Sequence, residues 1–166
     1  MKDFLTKINS YNIFNFLFSG VVFSAFVSKE TSLNLIQEDV LLGIFVYYFF
    51  GAVISRIGSL IVEPVLKSIE FVTFTPYKDF IVASKNDPKI EVLSEASNMY
   101  RTICALLLCI GLAYILDVAK NYYPVITKIL PFISFLIILI VFIWSYKKQI
   151  EYINKRVAAN LEEVKK

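Results

Sequence analysis

Four apolar stretches, at residues 11–28, 40–57, 102–116 and 129–146, limit what this chain can fold into more than any other feature. A hydrocarbon layer about 30 Å thick takes roughly 17–25 apolar residues of α-helix. Inside that layer every backbone N–H and C=O has to be bonded within the protein, as an α-helix allows. An all-α protein with four membrane spans is therefore expected. Of the 166 residues, 57% are hydrophobic and 19% charged, with a mean hydropathy of +0.65. A soluble domain carries nearer a quarter charged residues, so a soluble helical protein with a rich core is the disfavoured alternative.

The first stretch opens with Asn12 and Asn15 and carries Gly20 and Ser24 at small-xxx-small spacing. The two asparagines read as solvated at the interface in preference to bonding another helix. Lys2 and Lys7 precede the stretch, no small-x-small cleavage site closes it, and it is expected to be kept as a helix. The second stretch has no clear stop after residue 57, so its helix is expected to continue beyond the membrane, straight or kinked at Pro64. Asp117 ends the third, and residues 117–128, with Tyr122 and Tyr123, read as a short external connection. The fourth stretch ends on the interfacial pair Trp144 and Tyr146.

Between the second and third spans, Thr75-Pro76 and Asp87-Pro88 each resemble an N-cap followed by proline at the first helical position. They predict two short helices in 67–101, the second running without a breaker into the third span. After residue 147 the tail is a charged helix with Ile150, Ile153, Val157, Leu161 and Val164 on one narrow seam. Four units result: a membrane hairpin (1–66), a cytosolic helical segment (67–101), a second hairpin (102–146) and a cytosolic tail helix (147–166).

Charge sets the expected orientation. Lys2 and Lys7 lie in the amino-terminal arm, and Lys67, Lys78, Lys85, Lys89 and Arg101 in or beside the middle segment. Lys147, Lys148, Lys155, Arg156, Lys165 and Lys166 lie in the tail. The other two loops hold Lys29, Lys120 and Lys128 against Glu30, Glu38, Asp39 and Asp117. Basic loops stay in the cytoplasm, so both termini and the middle segment are expected there, which an even number of spans satisfies. The expected location is a bacterial cytoplasmic (inner) membrane.

Catalytic chemistry has little to stand on. The chain has no histidine, which removes the usual general base near neutral pH and the commonest metal ligand. Its two cysteines, Cys104 and Cys109, form no CxxC pair and read as buried, reduced packing residues. No phosphate-binding glycine loop, nucleophile elbow or carboxylate pair is present. Neither an enzyme, a cofactor nor a metal is expected, and a net charge of +3 argues against a dedicated nucleic-acid binder.

Small residues offer a different kind of site. Gly51, Ser55 and Ser59 follow one another at steps of four on the second span, suited either to an oligomer interface or pore seam or to packing within one subunit. Arg56 and Glu63, seven apart, share a face. Arg56 either snorkels to lipid phosphate or pairs with Glu63 or with an acid of an adjacent subunit; around an oligomeric pore it would form a ring at the inner mouth. Ile153, Val157 and Leu161 are candidates for a further interface. Lys78, Lys85, Lys89 and Arg101, with Tyr77, form a candidate site for a nucleotide or oligonucleotide signal; attraction to anionic membrane lipid is the plainer reading of the same charges.

The opening YNIFNFLFSGVVF and the later SRIGSLIVEP (55–64) resemble stretches of small multi-pass membrane effectors from bacterial anti-phage defence islands, of the Hailong or Kiwa type. The resemblance covers about a quarter of the chain and transfers no functional residue. It implies an oligomeric channel-like effector, with a tetramer favoured, that disrupts the membrane when infection is sensed through a cytosolic signal or partner. The alternative is a membrane scaffold that docks a soluble protein without conducting.

Overall fold

The computed structural model describes residues 10–164, and all the regular elements it contains are helical. Four of its helices are long and apolar enough to cross a membrane: Tyr11–Glu30, Val40–Ser68, Lys89–Tyr122 and Val125–Ala159. They are called spans 1 to 4 below. Lys2, Lys7, Lys165 and Lys166, together with the side chains of Leu161 and Val164, lie outside the described residues.

Span 1 packs on span 2 through a close backbone contact at two glycines. A Cβ placed on Gly51 would stand 1.7 Å from the Phe16 carbonyl oxygen, and one on Gly20 would stand 1.7 Å from that of Tyr47. Only glycine lets these helices touch, as small-residue packing in membranes requires. Asn15 is buried here at 4% exposure, so this asparagine faces the bundle instead of the interface. The Ser19 hydroxyl donates back to the Asn15 carbonyl at 2.6 Å, beside a π-helical stretch at Phe14–Phe18.

Span 2 is α-helical over Val40–Ile57, π-helical over Gly58–Val62, then α-helical again over Glu63–Ser68. Asp39 caps its start, accepting from the Leu42 N–H at 2.8 Å. At its far end Glu70 takes a left-handed φ of 58°, while the Phe71 N–H reaches the Leu66 carbonyl at 3.0 Å and the Glu70 N–H that of Lys67 at 3.1 Å. This is the two-bond Schellman stop, made with glutamate where glycine is usual.

The short helix Tyr77–Asn86 starts one residue later than its Thr-Pro signal, with Pro76 in the capping position. Asp87 does cap the next helix, accepting from the Lys89 N–H at 3.0 Å. That helix runs unbroken from Lys89 to Tyr122. The external connection expected over 117–128 is therefore mostly helix, and only Tyr123 and Pro124 fall outside it. Pro124 lacks an N–H and keeps the residue before it out of helical geometry, which breaks the chain there and nowhere else nearby. Span 4 likewise continues without interruption into the tail, from Val125 to Val164. Helix lengths of 34 and 40 residues correspond to about 51 and 60 Å, well beyond a hydrocarbon layer of about 30 Å.

Packing is uneven. The apolar window of span 1 is 29% buried, that of span 4 only 6%. The tight core is Ile54, Val62, Ala105 and Leu106, shared by spans 2 and 3. Towards the Tyr123-Pro124 end, span 4 stands off and leaves a cavity of about 640 Å³ lined by Phe23, Phe50, Leu116, Ile133 and other apolar side chains. Cys109 lines this cavity, whereas Cys104 is exposed on the outer face of span 3, contrary to the packing role expected for it.

Candidate functional site

Pro64 organises the polar end of the bundle. Proline has no N–H to give, and its ring disfavours the carbonyl four residues back. The helix responds with the π-turn over Gly58–Val62, in which the Glu63 N–H bonds the Gly58 carbonyl five residues back. The Ser59 carbonyl then loses both of its helical donors: Glu63 is engaged elsewhere, and Pro64 has none. A stranded carbonyl at this depth needs a side-chain partner. Lys148 of span 4 supplies it, donating to the Ser59 carbonyl at 2.6 Å and to the Ser59 hydroxyl at 2.8 Å.

Next to that contact lies Glu63, 6% exposed. Its Oε1 is 3.0 Å from the Lys67 Nζ and 3.5 Å from the Lys148 Nζ, and Arg101 Nη1 donates to its Oε2. One buried carboxylate thus ties together spans 2, 3 and 4. Lys67 also faces the Phe74 ring at 4.0 Å, and Lys148 faces the Tyr152 ring at 5.8 Å, which in turn lies 6.3 Å from Tyr77. The Arg101 Nε is shielded from solvent and has no hydrogen-bond partner.

The depth of this cluster is the same along three helices. Glu63 lies 23 residues from Val40, Lys148 lies 23 from Val125, and Arg101 lies 21 from Tyr122. At 1.5 Å per residue these are separations of about 32–35 Å, one hydrocarbon thickness. The charges therefore lie about one hydrocarbon thickness from the Asp39 and Tyr123-Pro124 ends of the helices.

The residues singled out from the sequence are redistributed by the fold. Arg56 does not pair with Glu63; it is half-buried and lies in the electrostatic neighbourhood of the Tyr11 phenol, along with Arg101 and Glu95. Span 2 turns by a π-step between residues 56 and 63, so the seven-residue spacing no longer places them on one face. Gly51 and Ser55 make contacts inside the protomer: Gly51 meets the Phe16 backbone, and Ser55 lies 3.3 Å from the buried Thr102 hydroxyl. Ser59 is committed to Lys148. Ile153 and Val157 are exposed at 48% and 51% and stay open to a partner.

Among the ligand candidates expected from the sequence, Arg101 enters the Glu63 cluster and Tyr77 borders it through Tyr152. Lys78 and Lys85 are exposed on the short helix, and Lys89 is about 18 Å up the span 3 helix from Arg101. Lys89 is thus well separated from Arg101. Lys148 is the functional candidate that sequence reasoning missed, since it read only as one of several tail charges. No protein-family model, curated protein or solved structure matches this chain.

Proposed function

We propose that the chain is a homo-oligomeric, channel-type membrane effector of the bacterial inner membrane, a tetramer or larger ring, gated by a cytosolic signal or partner. One observation carries this reading. Span 4 is pinned at its cytoplasmic end by Lys148 and is otherwise so lightly packed that an apolar cavity separates it from its neighbours. A helix held at a single polar point is suited to move, and its bare apolar face to meet other copies of itself. One 166-residue protomer encloses too little for an aqueous pathway of its own, so conduction takes several copies. Arg56, outside the cluster, is then the charge nearest a shared inner mouth and favours anions. The resemblance of 55–64 to defence-island effectors supplies the anti-phage context. The mass of the nanodisc-solubilised protein and its conductance in planar bilayers test the proposal. A discrete ring that conducts, with Lys148→Met raising the open fraction, is expected; a silent monomer would refute it.

A second reading, a scaffold docking a soluble protein, is favoured by the exposed Ile153 and Val157 on a tail that is rigidly continuous with span 4. It predicts that a neighbouring gene product co-purifies and is lost when both residues become Asp.

A further inference from the structure

The Glu63 cluster is not neutral. Among the described residues, the ion pairs of Lys67, Arg101 and Lys148 all end on Glu63, so these four side chains carry a formal excess of two positive charges, with Glu95 and Glu151 in the wider electrostatic neighbourhood of Arg101 and Tyr152. Such an excess is costly where water is scarce, unless an anion completes it. Glu63 itself is 7% exposed at the side chain, but the cations are not sealed: Lys148 and Arg101 keep 24% and 22% of their side-chain surface, and Lys67 keeps 43%. The open side of the cluster is thus cationic.

We propose that the Lys67–Arg101–Lys148 face binds one phosphate group, presented by an anionic lipid headgroup or by a small free phosphate compound. The cluster lies about one hydrocarbon thickness from the opposite ends of spans 2, 3 and 4, the depth at which lipid phosphates are found. Basic pockets between helices on the cytoplasmic side are the geometry that captures such groups. Only one guanidinium nitrogen of Arg101 is spent on Glu63, and a planar guanidinium presents further N–H groups to a phosphate. Lys67, the most exposed of the three, adds charge at the rim, whereas Lys148 is already saturated by Ser59 and Glu63 and contributes field more than a free donor. Phosphate binding would draw the three spans together at the point where span 4 is pinned. The inference rests on the four-span orientation but not on conduction.

The test is lipid retention. The full-length protein is taken from nanodiscs of equimolar phosphatidylglycerol and phosphatidylcholine and examined by native mass spectrometry. Preferential retention of phosphatidylglycerol is expected. Lys67→Gln should weaken it about fivefold, the effect of one basic side chain on an anionic headgroup, and Lys67→Arg should restore it. Glu63→Gln should strengthen retention, because it raises the excess from two charges to three; a merely structural cluster would lose retention with its fold. In a second arm, inorganic phosphate or pyrophosphate is titrated into phosphatidylcholine-only nanodiscs and unfolding is followed through Trp144. Stabilisation there without lipid preference would identify the free compound as the source. Equal retention of both lipids with no stabilisation by either anion would overturn the proposal. So would retention indifferent to both Lys67→Gln and Glu63→Gln, if the titration is equally indifferent. None of these readings involves conductance, so a non-conducting oligomer would count against the channel and leave the phosphate site standing.

Discussion

The Lys148 ammonium donates to the Ser59 carbonyl at 2.6 Å, across 89 residues of sequence, and it does so because Pro64 has removed that carbonyl's helical donors. Lys148→Met should therefore leave a buried acceptor unsatisfied and cost about 1–3 kcal/mol. In a Pro64→Ala background the regular helix can re-form and the Glu63 N–H can return to Ser59, so the same substitution should cost at least about 1 kcal/mol less. Unfolding of the four variants in nanodiscs, followed by Trp144 fluorescence, measures the coupling. Strictly additive losses would show that Pro64 and Lys148 are unrelated.

Glu63 binds the cations of three helices, and removing it alone strands them. Glu63→Ala is expected to destabilise by about 3–5 kcal/mol, the scale for breaking a buried ion pair from one side. Replacing Glu63 and Arg101 together by leucine should cost clearly less than the two single losses combined. A double variant as unstable as the sum would argue that the cluster is not a single electrostatic unit.

Glycines divide sharply by position. Gly51→Ala puts a methyl group 1.7 Å from the Phe16 carbonyl oxygen and should prevent spans 1 and 2 from docking, at a cost above about 3 kcal/mol. Gly111→Ala meets nothing within 4 Å and should be neutral or stabilise by up to about 1 kcal/mol through helix propensity alone. Thermal melts of the two variants side by side give the comparison, and equal melting temperatures would contradict the packing described here.

Topology has a direct chemical readout. With Cys104 and Cys109 replaced by alanine, single cysteines at Lys29 or Tyr123 should react with an impermeant maleimide on intact cells. Cysteines at Lys85 or Lys155 should react only after the membrane is opened. The reverse pattern would invert the orientation and place the Glu63 cluster on the outer surface.

The four spans were legible because a bilayer demands a single kind of segment, and residues 40–57 and 129–146 have almost no polar interruption. Helix continuity was harder to read. Charges at Asp117, Lys120 and Lys147 interrupt the apolar pattern but not the hydrogen bonding, so the helices run past them to Tyr122 and Val164. Pro64 was visible as an interruption, yet its effect was not a visible break but a shifted bonding pattern, which rotated Arg56 away from Glu63. That left the carboxylate to Arg101 and Lys148, whose register against span 2 depends on how three helices pack. No spacing within one helix encodes that register.

The unbroken helix from Val125 to Val164 behaves as a lever with its fulcrum at Lys148. One arm, about 35 Å long, carries the apolar stretch 129–146, and the other, about 24 Å, is the tail beyond Lys148. A tilt of about 10° at the fulcrum carries the far end of the membrane arm through about 6 Å, roughly one helical pitch. A push on Ile153 or Val157, about 8 and 14 Å from the fulcrum, would thus be delivered at the far end of the membrane arm amplified roughly three- to fivefold, less whatever bend Pro131 absorbs within that arm.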